Sequence, residues 1–336
     1  MDALRRSIGI ILLGGVAGLA LAGCQAPSPV AAVPPSPPSE QGGSDPQLEQ
    51  LLAPVALYPD PLLAQVLMAS TYPLEVVQAQ RWLERGGNAG LRGETLAQVL
   101  DAEPWDASVK SLVPFPDVLN MMAEQLEWTQ QLGDAVLERP EAVLASVQTL
   151  RRRAQAAGML KSTPQQTVNT SGTVVAIESA QPDVVYVPVY DTRVVYGAWP
   201  YPAYPPYYYP LGGAVVAGLA FATAVAVVGG YWGWARPGWG GGDIDIDVDR
   251  SRNVNIDRGG APGGRWQHRV EHRQGVPYRS DAVRSRFQGD RPQPRAGAAG
   301  RPPAQRTGAR SEPRPTPRPS AGRVGGGGRA ARGGRR

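Results

Sequence analysis

From residue 46 to about residue 160 the apolar positions recur at helical spacing, and Pro, Asp and Gly punctuate them. Asp60-Pro61 reads as an N-cap followed by Pro at the first helical position, and Leu62, Leu63, Val66 and Leu67 continue on one face. Val76, Ala79 and Leu83 line a second helix that opens near Pro73 and stops at Gly86-Gly87. Leu96, Val99 and Leu100 mark a third, ended by Pro104, and 106–113 is a short fourth. The spacing predicts the longest helix over 117–139, with Leu119, Met122, Leu126 and Val136 inward and a bend at Gly133. Pro140 opens the last helix, where Val143, Val147, Leu150 and Ala154 share a stripe, and a short helix over 47–57 precedes them all despite Pro54.

Stripes of this kind are normally buried. Met121, Met122, Trp82, Trp105 and Trp128 are therefore read as core or core edge, not as ligand sites. Arg151-Arg152-Arg153 lies near a helix end, where cations suit the dipole, and is read as a solvated face.

The period changes after residue 161. Residues 173–177 and 184–187 are β-branched runs separated by a turn containing Pro182, with 194–196 as a third candidate strand; a small hairpin docked on the helical domain is expected. No charge occurs between 194 and 235. Within that stretch, 199–210 is a Tyr/Pro run, and 211–230 is an uninterrupted apolar run followed by Tyr231, Trp232 and Trp234. Its length and aromatic flanks resemble a membrane span. Ala214, Gly218, Ala222, Ala226 and Gly230, spaced four apart, would form a smooth packing strip on a helix. A membrane-inserted or self-associating helix and a Gly/Ala-rich linker both remain open at this point.

Residues 243–249 alternate Asp with Ile or Val, which on a strand sets four carboxylates on one face. Such a stack suits a hard cation, but no Gly-turn loop wraps it. An edge strand paired with 253–256 is the reading preferred. Beyond residue 259 the chain is Arg, Gly, Pro and Ala, the composition of a disordered tail.

Composition narrows the picture. Gly (41) and Pro (34) exceed a fifth of the 336 residues, so only part of the chain can bury a core. From residue 250 onward there are 21 Arg against five acids, a charge of +16 in a chain whose net charge is +5; the preceding part therefore carries −11. A basic tail behind an acidic body is expected to meet an anionic partner, for which Arg forks suit phosphate and carboxylate. Lipid headgroups, lipopolysaccharide, peptidoglycan and nucleic acid all qualify, with nucleic acid disfavoured for an exported chain.

The N-terminus supplies an address. Arg5 and Arg6 precede an apolar run too short to span a membrane comfortably, and Leu21-Ala22-Gly23-Cys24 closes it, the form of a lipoprotein signal. Cys24 is the sole cysteine, so an intrachain disulfide is impossible and lipidation at Cys24 is expected. Gln25 follows it, which by resemblance to enterobacterial lipoproteins favours the outer membrane. Pro34, Pro35, Pro37 and Pro38 make the next segment a semi-rigid spacer.

No phosphate loop, nucleophile elbow or zinc-protease motif is present. The only histidines, His268 and His272, stand four apart in the basic tail; two ligands do not close a metal site. Glu75, Glu84, Asp101, Glu103, Asp117 and Glu124 could support carboxylate chemistry, but no spacing singles out a pair. No cofactor or metal is expected.

The motif YPDPLLAQVLMASTYP at 58–73, the segment 105–133, VVYVPVY ending at Tyr190, and 266–287 with HRQGVPYR from His272 resemble the bacterial DUF 3300 family of unknown function. The resemblance covers roughly 46–287 and implies envelope lipoproteins without an assigned activity.

The expected fold is mainly α, with a small helical domain, a short β-hairpin, an apolar Gly/Ala-rich helix and a long Arg/Gly/Pro-rich tail. The expected divisions are signal peptide 1–23, tether 24–45, helical domain 46–160, β segment 161–197, Tyr/Pro-rich and apolar helix 198–235, Asp-alternating strand pair 236–258 and basic tail 259–336. The functional expectation is a non-enzymatic envelope lipoprotein with a structural or interaction role and self-association through the apolar helix. Two alternatives stand beside it: an inner-membrane protein with a transmembrane helix and a cytoplasmic nucleic-acid-binding tail, and a carboxylate-based cell-wall hydrolase.

Overall fold

The structure, a computed structural model, describes residues 45–211, 218–222, 224–247, 249–250 and 264–288. All of these except Gln288 belong to one compact unit that ends at Phe287. Cys24 and the tether lie outside the described residues, as do Ala214, residues 253–256 and the chain beyond 288.

The helices follow in order as α1 (Pro46–Leu52), α2 (Asp60–Ala69), α3 (Pro73–Leu83), α4 (Gly93–Ala102), α5 (Ala107–Leu112), α6 (Pro116–Glu124), α7 (Leu126–Glu138) and α8 (Pro140–Ala156). Pro stands in the first turn of α1, α2, α3, α6 and α8, where its missing N–H would have no helical partner anyway. Asp45 caps α1 through the N–H groups of Gln47 and Leu48, and Asp106 caps α5. The fold is mainly α, and the helical expectation over 46–160 holds.

The long helix expected over 117–139 is broken at Gln125 (φ −99°, ψ 54°). Thr129 stabilises the break by donating its hydroxyl to the Met122 carbonyl at 2.7 Å. Gly133 lies within α7. A Cβ there would lie 2.2 Å from the Ser70 carbonyl oxygen, so its role is to let the end of α2 approach the α7 backbone.

Met121, Met122, Trp82, Trp105 and Trp128 are buried as expected. The segment 53–59 between α1 and α2 is buried without being regular. Side chains satisfy much of its backbone: Tyr190 and Tyr196 both donate to Ala53 O, at 3.1 and 2.6 Å. Burial pushes the phenols of Tyr58, Tyr190 and Tyr196 well above their usual range.

The solvated-face reading fails for Arg151, which is fully buried. It donates to Asp60 Oδ1 (2.6 Å), Ala56 O (2.8 Å), Tyr58 O (2.9 Å) and Val175 O (2.8 Å). Its guanidinium also lies over the Trp239 ring at 4.9 Å. Asp60 is the first residue of α2, not its N-cap, and its carboxylate is turned inward to this pair. Arg153 pairs with the buried Glu49 of α1.

Beyond α8, β1 (Gln166–Ser171) and β2 (Val174–Ser179) form the hairpin, turned by Gly172-Thr173 with Gly172 at φ +58°. The expected pairing of 173–177 with 184–187 is thus replaced by a more local one. β2 docks on the helices: the Gln148 amide bonds both Val175 N (2.7 Å) and Val175 O (3.1 Å). β3 (Val184–Val185) and β4 (Pro188–Tyr190) follow, and the expected third strand at 194–196 is replaced by a short helix, α9 (Thr192–Val195), capped by Asp191.

The apolar run 211–230 is not a helix where it is described. β5 (Leu219–Phe221) pairs with β4, and β6 (Val225–Ala226) pairs with β3. Gly218 and Ala222 flank β5, Ala226 ends β6, and Gly230 sits in a turn at φ +79°, which breaks any helical strip. Residues 219–221 and 225–226 find strand partners in the VVYVPVY segment, and pairing overrides the four-residue spacing of small side chains. Among the described residues, no helix is long and apolar enough to cross a membrane.

β7 (Ala235–Pro237), β8 (Ile244–Ile246) and β9 (Gly264–Arg265) form a three-stranded antiparallel sheet. The Asp-alternating segment is therefore a central strand, with Ile244 and Ile246 buried and Asp245 exposed, and not the edge strand expected. Residues 264–288, expected as part of a disordered tail, return to the helical core and end in α10 (Asp281–Gln288).

Candidate functional site

The returning segment 264–288 brings both histidines of the chain onto α2, α3 and α7. A 3-10 turn at Val270–Arg273 is followed by Gln274 at φ +51° and Gly275 at φ +80°, a reversal that directs Arg273 inward. Arg273 is 1% exposed. It donates to Asp134 Oδ1 (2.9 Å), Thr71 O (3.2 Å), Val276 O (2.9 Å) and Pro277 O (2.9 Å), and lies 4.0 Å over the Tyr278 ring. Asp134 Oδ2 accepts the Arg279 N–H at 2.7 Å. Burial pulls the Arg273 guanidinium below its usual range, and the Asp134 charge opposes that shift.

His268 stacks on Tyr72 at 5.1 Å and packs edge-on against Phe287 at 4.9 Å. Thr71 donates its hydroxyl hydrogen to Met68 O, so it accepts from His268 Nδ1–H at 3.2 Å. His268 Nε2 then accepts from the Tyr278 hydroxyl at 2.8 Å. Burial, with the Arg273 and His272 charges adding to it, lowers this imidazole to a pKa of about 3. His268 is held neutral, in one tautomer, with both nitrogens occupied.

His272 Nδ1 meets Glu75 Oε1 at 2.8 Å. Glu75 is 1% exposed and also accepts the Asp106 N–H at 2.7 Å and Gln274 Nε2 at 3.3 Å. The Glu75 hydrogen bond raises the His272 pKa above its ordinary value, against a lowering by burial. The four-residue spacing noted in the sequence therefore places the two histidines in different surroundings. Among the described residues no cluster of three or more His, Cys, Asp or Glu could hold a metal ion.

A second feature is an open groove of about 460 Å³ between α1, α7, the Tyr/Pro run and the start of α10. Gln47, Gln131, Glu138, Arg139, Tyr207 and Arg279 are among its lining residues. The Tyr/Pro run is tied across α1 by Tyr207 N–H to Gln50 O (3.3 Å) and Gln50 Nε2 to Pro205 O (2.7 Å). The run thus forms a wall of the folded unit. A second, more enclosed hollow of about 430 Å³ holds Asp117, Asn120, Glu124 and Tyr209.

The carboxylates proposed from sequence are dispersed. Glu75 holds the histidine segment, Asp101 accepts the Tyr231 hydroxyl at 2.6 Å, Glu84 accepts from Gln80, and Asp117 and Glu124 share the second hollow. Sequence reading missed Asp134 and Arg273. Only Arg151 left a signal, since it shares the stripe of Val147, Leu150 and Ala154. A charge on an apolar stripe marks a buried pair as readily as a solvated end.

Comparison with known proteins places these features. "Uncharacterized protein YacH" of Escherichia coli is 43% identical over 217 residues, covering 55% of this chain and 35% of that protein. The chain therefore spans about a third of that relative's length. No solved structure matches. The family described as "Protein of unknown function (DUF3300)" matches residues 44–268, which include α1 to α8, all the strands and His268. That match covers well over half of the sequence, and the chain belongs to the DUF3300 family.

Proposed function

We propose that this protein is a non-enzymatic cell-envelope lipoprotein, anchored through Cys24, whose folded unit is an interaction module and whose Arg-rich C-terminal segment contacts an anionic envelope surface. One observation carries the non-enzymatic part. Both histidines of the chain are engaged in holding the returning segment in place, His268 with each ring nitrogen occupied and His272 against Glu75. Arg273 and Asp134 serve the same purpose. The open groove beside α1 and α7 is lined by amides, two guanidinium groups, Tyr204, Tyr207, Ser280, Asp134 and Glu138, with Asp134 already engaged by Arg273 and the Arg279 N–H, a mixed polar and aromatic lining that suits binding better than bond cleavage.

The lipoprotein part rests on the signal-like start and the sole thiol at Cys24. Radiolabelled palmitate should enter the wild-type protein and not a Cys24→Ser variant. Labelling of both, or of neither, refutes the anchor. Incubation with purified peptidoglycan should release no soluble fragments; fragment release that is lost on Glu75→Gln substitution would refute the non-enzymatic assignment.

A further inference from the structure

The open groove between α1 and α7 has two features that select its ligand: how its donors are held, and how its charges balance. Leu48 and Leu51 give it a buried apolar base. Tyr207 borders it with a ring that is fixed in advance. That ring stacks on Tyr209 at 5.9 Å and 13°, and Tyr209 packs edge-on against Trp128 at 5.7 Å. Three planar groups of the lining are loosely engaged. Gln47 Nε2 meets the Tyr204 hydroxyl, Gln131 Nε2 meets Glu127 Oε1, and the Arg279 guanidinium meets the same oxygen, each at 3.4 Å, against about 2.9–3.0 Å for a firm bond. These donors can turn to a ligand at little cost. The charges nearly cancel. Arg139 is paired with Asp45, Asp134 with Arg273, and Arg279 faces Glu127, while Glu138 adds an exposed carboxylate. Among these residues no cationic surplus is left for a phosphate or a carboxylate.

We propose that this groove binds an uncharged glycan built of N-acetylated amino sugars. The inference rests on the reading of the folded unit as an interaction module and deepens it by naming the ligand class. A sugar ring presents an apolar C–H face, which stacks on a tyrosine ring, and an edge of hydroxyls, each both donor and acceptor. The amides of Gln47 and Gln131 likewise donate and accept, and the Glu138 carboxylate accepts, so hydroxyls match all of them. An acetamido group adds a planar amide that pairs with a glutamine side chain and a methyl that the apolar base covers. The volume of about 460 Å³ lies within the range of about 300–1,000 Å³ usual for small-molecule clefts, and the open form admits a chain that continues beyond it. Peptides match the lining less well. α1 and α7 satisfy their backbones within the helix, and Pro205 O, Tyr207 N–H and Arg279 N–H are already bonded, so strand addition finds no edge there. A proline-rich peptide also favours Tyr-lined grooves, but its prolines offer only carbonyl acceptors and leave Glu138 and the amide oxygens unmatched. Free chitin-type oligosaccharides and the glycan strands of peptidoglycan both carry the chemistry proposed.

The test uses the full chain as Cys24→Ser and the β-linked tetramer of N-acetylglucosamine, followed by isothermal titration calorimetry. Saturable binding is expected, at least about tenfold tighter than to the corresponding tetramer of glucose, which lacks the acetamido groups. Between about 0.1 M and about 1 M salt the affinity should change by less than about twofold, because the ligand carries no charge. Tyr207→Ala should weaken binding at least about tenfold and Tyr207→Phe by less than about threefold, since the ring and not the hydroxyl stacks. Gln131→Leu and Arg279→Ala probe the groove through side chains that the core does not use; each should weaken binding at least about threefold with an unchanged thermal melt. Absence of binding, unchanged affinity in these substitutions, a steep fall with salt, or tighter binding of an uncharged octaproline overturns the assignment. Retention on purified peptidoglycan that the tetramer competes away supports the wall strand as the source, and tetramer binding without such retention supports a free glycan. The recovered tetramer is also sized. Intact tetramer with no binding removes the ligand class and leaves the non-enzymatic reading standing, whereas cleaved tetramer overturns that reading, so the two fail separately.

Discussion

Arg151→Met should cost this protein more stability than any surface substitution, and the size follows from its contacts. The guanidinium is fully buried and donates to Asp60 and to three carbonyls, those of Ala56, Tyr58 and Val175. Met matches the length of the side chain but offers no donor. Asp60 would then keep only the Ile177 N–H at 3.3 Å and Trp239 Nε1 at 3.0 Å. Each orphaned buried acceptor costs about 1–3 kcal/mol, but the remaining donors and local relaxation keep the total below their sum. Loss of one partner of a buried pair typically costs about 3–5 kcal/mol, and a value in that range is expected. Arg151→Met/Asp60→Leu should recover part of it, with a coupling energy of about 1–3 kcal/mol, because no unpaired charge remains. Urea unfolding followed by Trp fluorescence measures both, with an unchanged denaturant slope as the check that the unfolded reference is the same. A single-mutant loss under about 1 kcal/mol, or strict additivity in the double variant, would refute the claim that this pair joins α2, α8 and the hairpin.

Three further outcomes are expected. For His268, the folded pKa of about 3 lies below the unfolded value near 6.5. Its contribution is therefore fully present above about pH 6.5 and falls as pH drops toward 3, by about 2 kcal/mol at pH 5; amide exchange across 264–288 should accelerate there in wild type and much less in His268→Gln. His272 acts in the opposite sense, its raised pKa giving stability below about pH 6.5 that is lost as pH rises through the folded value; Glu75→Gln should lower the His272 midpoint in an NMR titration. Gly133→Ala should lower the melting temperature, because the clash with the Ser70 backbone, about 1–3 kcal/mol, outweighs a helix-propensity gain of up to about 1 kcal/mol; a raised melting temperature would show that the two backbones do not approach so closely.

Apolar periodicity and Pro punctuation located the helices of 46–160 because both act within one or two turns of chain. The same logic misread residues 211–230. Small residues at four-residue spacing satisfy a helical template, yet Val225 and Phe221 are paired with Val185 and Pro188, more than thirty residues earlier in the chain. Strand pairing is non-local, so a single segment carries no record of its partner. The hairpin is the converse case: Gly172 supplies a local turn, and the turn selected β1 over the more distant run at 184–187.

Charge was legible as composition and not as contact. The acidic body and the Arg-rich end follow from counting, and so does the prospect of an anionic partner. Whether a given Arg is solvated or buried depends on which acid and which carbonyls face it after folding. Arg151 and Arg273 belong to segments that look alike in polarity to Arg152 and Arg269, and only the first two found buried carboxylates, Asp60 and Asp134. By itself, then, the sequence determined the helical domain, the export-like start and the charge asymmetry, since each is a property of neighbouring residues or of totals. Tertiary structure decided the strand partners, the buried ion pairs, the use of both histidines and the return of residues 264–288 onto the helices. Each of those requires residues far apart in the chain to share a space from which water is excluded, and there a missing partner costs several kcal/mol.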